Sequence, residues 1–141
     1  MGNTGYATLI QSCCNNAQSL TGKSSISSYN ETIRIGGICA TSYGSIFNCY
    51  SSTIDYSFNN YFYYGGICAY KVSGDQYYSA NYSPSDLSPE QTYGSEVYSG
   101  STSFSQSQMK SDEFLSELNI YTILNGTDYK WVRDESGFPY I

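Results

Sequence analysis

The sequence predicts an all-β fold, namely a short right-handed parallel β-solenoid of two to three coils with a helix-containing C-terminal cap. The phrase Gly-Gly-Ile-Cys-Ala occurs at residues 36–40 and again at 65–69, so the copies lie 29 residues apart. An interval of this size is typical of proteins in which one small unit stacks on its copy. Aromatic residues, which favour strands, form 17% of the chain. A helical pattern occurs only near the C-terminal end. A β-sandwich built from the same strands is the alternative.

Composition limits the classes of partner. Charged residues form 13% of the 141-residue chain, about half of the usual share of roughly 25%, and the net charge is −6. Because phosphate binding needs clustered Lys and Arg, we expect no nucleic-acid partner. The apolar runs are too short for a spanning helix, so we expect no membrane insertion by this segment. No signal-peptide pattern opens the sequence, which indicates either an intracellular protein or a piece of a longer exported chain.

The first strand is predicted over residues 5–14. It matches residues 45–50, with Ile10 aligned to Ile46 and Cys13 aligned to Cys49, an offset of 36. The offset exceeds 29 because a Ser-rich connection follows the first strand, and insertions in stacked repeats fall in loops.

The two copies of the phrase have the same surroundings. Residues 32–35 alternate as a strand does, and the aromatic run 61–64 occupies the matching place before the second copy. The glycine pairs indicate a bend or a close approach of two backbones. A third strand region, 75–82, keeps the aromatic character without the cysteine, as expected of a terminal repeat. The residues assigned to the structural repeat are Gly36, Gly37, Cys39, Cys49, Gly65, Gly66 and Cys68.

The predicted organisation has three parts: repeats over 1–82, a Ser- and Tyr-rich loop or irregular strands over 83–106, and a cap over 107–141. Ser111 is the expected N-cap of a short helix, because acidic residues follow it and Phe114, Leu115 and Leu118 share one face. Trp131 and the apolar end of the chain, 137–141, would cover the open end of the solenoid.

The motifs resemble the GLUG-type repeats of large bacterial surface proteins. The similar residues are Gly-Gly-Ile-Cys-Ala, then Gly44-Ser45-Ile46 and Asn48-Cys49-Tyr50, and the segment 108–119 with Trp131 and 137–139 is similar to the segment that closes such arrays. Ala40 stands where the family favours Gly, and Cys14 replaces a Tyr. The resemblance implies an exported, extracellular or cell-surface location and a role in adhesion or surface architecture. It implies no catalytic residue.

Five cysteines are present and histidine is absent. The repeat register places Cys39 beside Cys68 and Cys13 beside Cys49, about 4.8 Å apart as in neighbouring strands. In-register side chains point the same way, which suits the dihedral angle of a disulfide poorly. We therefore expect mainly a ladder of buried free thiols, with a disulfide, for example through Cys14, as the alternative. Without His or a Cys-x-x-Cys pair, we expect no metal and no cofactor.

The same absence of histidine removes Ser-His-Asp and Cys-His catalysis. Carboxylate chemistry needs paired acids on one face, and Asp55, Asp75 and Asp86 do not share a repeat position. We expect no enzymatic activity.

Exposed tyrosines are the candidate binding site, because a Tyr ring stacks on sugars and proteins at low entropic cost. The candidates are Tyr61, Tyr63, Tyr64, Tyr77 and Tyr78; alternatively, they tile a structural face. The predicted function is a non-catalytic repeat module, an adhesive element or a spacer, with glycans or host surface proteins as partner classes. The alternatives are a carbohydrate-active β-helix enzyme and a self-associating filament subunit.

Overall fold

The protein is described by a computed structural model that covers residues 9–22, 33–58, 62–71, 78–85, 88–89 and 101–141. Over these residues the fold is mainly β, with short strands and two helices near the C-terminal end. The first strands are β1 (Leu9–Gln11), β2 (Cys14–Asn15), β3 (Ser19–Gly22), β4 (Ile33–Gly36), β5 (Cys39–Ser42), β6 (Ser45–Phe47), β7 (Tyr50–Ser51) and β8 (Asp55–Phe58). The following elements are β9 (Phe62–Gly65), β10 (Cys68–Lys71), β11 (Tyr78–Ser79), β12 (Asn81–Pro84), β13 (Ser88–Pro89), β14 (Ser101–Phe104), α1 (Gln106–Met109), α2 (Asp112–Leu124), β15 (Val132–Arg133) and β16 (Pro139–Tyr140).

Three sheets are formed by strands that recur along the chain. Their orders are β1-β6-β11, β14-β12-β7-β2 and β13-β8-β3, and every pairing within them is parallel. Strand β1 pairs with β6 so that Ile10 lies opposite Ile46, which confirms the offset of 36 expected from the sequence. Successive stretches of the chain therefore lie side by side in a common register.

The two copies of the repeated phrase also pair with each other. Strands β4 and β9 are parallel with Gly36 opposite Gly65, and β5 and β10 are parallel with Cys39 opposite Cys68. The Gly36 to Gly65 and Cys39 to Cys68 pairs both keep the 29-residue offset. The second pair confirms the predicted juxtaposition of these two cysteines.

The glycines of the phrase lie where two backbones approach closely. A Cβ added to Gly37 would overlap the carbonyl oxygen of Gly66 and the side chain of Ser51, and one added to Gly36 or Gly65 would overlap the backbone of the cysteine three residues later. Steric space therefore explains why these positions hold glycine.

A second repeated feature is a left-handed backbone turn. Ser12, Asn48 and Ala80 have φ values of 52°, 52° and 51°. Each follows a strand of the sheet β1-β6-β11, in which Gln11 lies opposite Phe47 and Phe47 opposite Ser79, so the three occupy equivalent positions. Left-handed conformations are costly for residues other than Gly. Their recurrence indicates one shared turn geometry in three successive stretches.

The main core lies between the strands and the C-terminal helices. It consists of Tyr50, Tyr82, Met109, Phe114, Leu118, Trp131 and Phe138. A smaller core contains Ile46, Cys49, Ile67 and Cys68. The rings of Tyr50 and Tyr82 each make an edge contact with Phe114, with centroids 5.4 Å and 5.1 Å apart. Aromatic packing therefore attaches the helices to the sheets.

The predicted helix is present as α2, and Ser111 is its N-cap, with its Oγ accepting a hydrogen bond from the Phe114 amide at 3.2 Å. The helix extends further than the apolar pattern indicated, to Leu124. A short helix, α1, precedes it and carries the buried Met109. The helical segment thus begins in two steps, each with a serine N-cap.

Strands β15 and β16 form a hairpin at the C-terminal end. It is the only antiparallel pair among the described strands. Arg133 of β15 forms a salt bridge of 2.8 Å with Asp112 at the start of α2. It is the only salt bridge among the described residues. None of the described helices is both long and apolar enough to cross a bilayer.

Candidate functional site

Two of the five tyrosines of the predicted surface lie at positions that the structure does not describe. Tyr61 and Tyr77 lie outside the described residues. Tyr63 and Tyr64 belong to β9, in register with Arg34 and Ile35, and Tyr78 belongs to β11, in register with Ile46. The backbone therefore places Tyr63 and Tyr64 one position after another beside β4, with Tyr78 in a different sheet. The tyrosine surface remains a prediction.

The cysteines are free thiols, and they differ in exposure. Cys49 and Cys68 are buried and Cys39 is partly buried, but Cys13 and Cys14 are exposed. The expectation of a fully buried ladder is therefore wrong at these two residues. Cys14 lies on β2, which is the edge strand of its sheet, so among the described residues Cys14 has a neighbouring strand on one side only. Cys13 directly precedes this strand.

The inner thiols are poor nucleophiles. Burial raises the pKa of Cys49 to about 12, and hydrogen bonding with Cys68, together with burial, raises the pKa of Cys39 well above its usual range. A thiolate is the reactive form of cysteine. These cysteines therefore act as small core residues, in contact with Ile46 and Ile67. In the described residues, no group of three or more His, Cys, Asp or Glu side chains has the arrangement of a metal site.

Of the three acids considered for catalysis, the structure describes Asp55 alone. Asp55 begins β8 and is exposed, whereas Asp75 and Asp86 lie outside the described residues. Among the described residues around Asp55, the lining of the adjacent cleft contains no second carboxylate. Glycoside hydrolysis commonly needs two carboxylates that flank the scissile bond.

That cleft lies between the strands and the C-terminal helices, and we call it the cap cleft. Its volume is about 490 Å³, and the lining side chains considered below are Asn16, Ser19, Asp55, Gln106, Lys110 and Phe138. The size lies within the range of roughly 300–1,000 Å³ that is usual for small-molecule sites. The cap cleft is therefore the candidate site that the described residues build.

The position of the cleft follows from strand pairing and from the attachment of the cap. Ser19 of β3 lies opposite Asp55 of β8, so both border the cleft from the sheet side. Gln106 of α1 donates from Nε2 to the carbonyl oxygen of Ser52 at 2.9 Å, which fixes the helix beside the sheet. Phe138 closes the cleft from the β15–β16 hairpin.

Asn16 and Tyr50 fix the opposite wall. The Tyr50 hydroxyl donates to Oδ1 of Asn16 at 2.7 Å and also contacts the carbonyl oxygen of Pro139. Nδ2 of Asn16 donates to the same carbonyl oxygen at 3.3 Å. Burial raises the pKa of the Tyr50 hydroxyl well above its usual range.

The sequence pattern does not predict this site. Its residues come from positions 16–19 and 52–55, which the 36-residue offset relates, and from 106–110 and 138, which the repeat pattern does not connect to them. The sequence indicates Asp55 only as a candidate catalytic acid. The polar residues after β2 and β7, at equivalent places in two repeats, were the available signal.

A comparison of the chain with protein-family models found no match, and neither did comparisons with curated proteins and with solved structures.

Proposed function

We propose that the chain is a non-catalytic repeat module of an exported surface protein, which acts in adhesion or as a spacer. In this proposal the strands form a short right-handed parallel β-solenoid, and the segment 107–141 is its cap. The observation that carries the proposal is the constant register of parallel strands from successive stretches of the chain, with Ile10 beside Ile46 and Ile46 beside Tyr78.

The recurring turn supports the solenoid arrangement. A left-handed backbone conformation occurs at equivalent positions, at Ser12, Asn48 and Ala80. The chain therefore changes direction at the same place in each stretch. Stacked repeats bury a continuous core between neighbours, and terminal repeats need a cap. The burial of Trp131 against Tyr50, with ring centroids 5.7 Å apart, is what such a cap requires.

The GLUG-type resemblance gives this module its proposed setting at the cell surface. Strand β9, which carries Tyr63 and Tyr64, pairs in parallel with β4. An exposed Tyr ring on such a strand would offer contact area and a hydroxyl group to a surface ligand.

Binding of surface ligands tests the adhesive role. The purified chain is applied to immobilised glycans, mucin and matrix proteins, beside a variant with Tyr61, Tyr63 and Tyr64 changed to Ser. Tyr129→Ser is the control, because Tyr129 is exposed on the cap. Adhesion through the tyrosine surface predicts binding that the triple variant loses while its circular dichroism and melting temperature stay close to wild type. Equal binding by the triple variant contradicts that surface.

The catalytic alternative is tested separately. Incubation with a polysaccharide panel is expected to release no reducing ends above the level of a heat-denatured sample. Hydrolysis that disappears in Asp55→Asn would overturn the non-catalytic proposal.

A further inference from the structure

We infer that the cap cleft binds a neutral saccharide unit, a hexose or N-acetylhexosamine of a larger glycan. This inference rests on the proposed function, because it gives the adhesive module a ligand class and a site. It assigns glycan binding to a different surface from the tyrosines of β9. The argument starts from the chemistry of the cleft walls.

The walls offer both hydrogen-bond donors and acceptors. The carboxylate of Asp55 accepts, the ammonium of Lys110 donates, and the hydroxyl of Ser19 does both. The amide of Gln106 uses Nε2 for the Ser52 carbonyl oxygen, which leaves its Oε1 as an acceptor for a ligand. A sugar ring carries hydroxyl groups that donate and accept in every direction, so it matches this mixture. An apolar ligand would leave these groups without partners, at a cost.

The two charged groups of the cleft are available. Asp55 and Lys110 are both exposed, and the salt bridge of the described residues involves neither of them. Their opposite charges disfavour a ligand that carries one net charge of high density, such as a phosphate, because one wall would repel it. A neutral polyol contacts both groups without this repulsion.

Lys110 is held over an aromatic ring. Its Nζ lies 4.4 Å from the centroid of Phe138, and its aliphatic chain lies beside Gly137. A cation above a ring is attracted to it, which limits the positions of the ammonium group. The donor is therefore presented at one side of the cleft.

The cleft is also arranged before any ligand binds. Asn16 is bonded to Tyr50, to the Pro139 carbonyl oxygen and to the hydroxyl of Ser52, the last at 3.3 Å. Its amide groups are already engaged, so its role is to position the wall. A site that is already ordered loses little conformational entropy when a ligand binds. This low cost helps the binding of ligands with weak affinity, such as sugars. With one lining carboxylate in the described residues, the site holds a glycan without the acid pair of hydrolysis.

The test is a titration of the purified chain with the methyl glycosides of glucose, galactose, mannose and N-acetylglucosamine, followed by calorimetry and by ligand-observed NMR. For single sugars of this size, we expect a Kd of about millimolar for at least one probe. Asp55→Asn removes the charge of the acceptor, and Ser19→Phe fills the cleft. Each is expected to weaken binding at least tenfold.

Asp128→Asn is the matched control, since Asp128 is an exposed acid that does not line the cleft, and we expect its Kd to stay within twofold of wild type. Melting curves of each variant exclude unfolding as the cause of a loss. Unchanged binding in Asp55→Asn and Ser19→Phe overturns the inference. So does glycan binding that only the tyrosine triple variant loses, although the adhesive function then stands. Binding of mucin or matrix proteins without any binding of the glycosides also overturns the inference, and the adhesive function then stands. If neither class binds, the adhesive function fails together with the inference.

Discussion

The hydroxyl of Tyr82 donates a hydrogen bond of 2.8 Å to Oε1 of Glu117, and this contact joins strand β12 to helix α2. The ring of Tyr82 is buried against Phe114, so its polar end and its apolar body both attach the cap to the sheets. The strength of this attachment is open to measurement.

Tyr82→Phe removes the hydrogen bond and keeps the ring. Hydrogen bonds to charged groups contribute roughly 1.5–3 kcal/mol, and Glu117 is partly exposed, so we expect a loss of about 1 kcal/mol in the free energy of unfolding. Urea denaturation measures the change. Glu117→Gln keeps an acceptor and is expected to cost less. A Tyr82→Phe protein as stable as wild type would show that water replaces the contact at no cost.

High pH is expected to destabilise the fold through its buried tyrosines. Burial raises the pKa of Tyr50 and Tyr82 above the usual value of about 10. Their stabilising contribution is fully present below pH 10, and it is lost as the pH rises from there towards the folded-state pKa, because the unfolded chain ionises first. Each tyrosine lowers the free energy of unfolding by about 1.4 kcal/mol per pH unit in this range.

The comparison of wild type with Tyr82→Phe between pH 9 and pH 11 isolates one tyrosine. We expect the free energy of unfolding of the variant to fall less steeply with pH than that of wild type, because the variant has one ionisable group fewer. Identical slopes would mean that Tyr82 ionises equally in the folded and unfolded chains.

Trp131 is fully buried in the main core, between the strands and α2. Trp131→Ala is therefore expected to cost roughly 3–5 kcal/mol, since it opens a large cavity. Trp131→Phe should cost less, because it keeps a ring, and the indole Nε1 that it removes has no hydrogen-bond partner among the described residues. Thermal and urea unfolding provide the values. A loss below about 1 kcal/mol for Trp131→Ala would be inconsistent with a cap that covers the core.

Ala80 is the least suited of the three left-handed residues. Gly adopts a positive φ without steric strain, so Ala80→Gly is expected to stabilise the protein by about 0.5–1 kcal/mol. Ala69, a buried residue of strand β10, is the control, and Ala69→Gly should destabilise by a similar amount. Destabilisation by both substitutions would argue against the left-handed turn at Ala80.

Gly37 has no room for a side chain, because a Cβ would meet the Gly66 carbonyl oxygen and the side chain of Ser51. We expect Gly37→Val, and by the same repeat logic Gly66→Val, to prevent folding, as seen by circular dichroism. Gly126→Ala is the contrast: Gly126 has open space around it and a φ of 63°, so its replacement should cost only about 1–2 kcal/mol. An unchanged melting temperature in Gly37→Val would disprove the close approach.

The register of the strands could be predicted because identical residues repeat, as at Cys39 and Cys68, and the helix because Ser111 precedes acidic and apolar residues in a helical pattern. The left-handed turns could not, since Ser12 and Ala80 carry none of the Gly or Asn preference of such turns. The cap cleft could not be predicted from the sequence either. Its walls meet only after the cap folds back on the sheets, and Asn16 and Phe138 have no common pattern in the sequence.

The salt bridge between Arg133 and Asp112 bears on how salt affects the stability of the fold. It lies on the surface, where Asp112 is largely exposed, and exposed pairs contribute little. Backbone ladders, buried amides and aromatic rings therefore hold the described residues together, and these forces are hardly screened by dissolved ions. The fold is therefore expected to keep its stability over a wide range of salt concentrations.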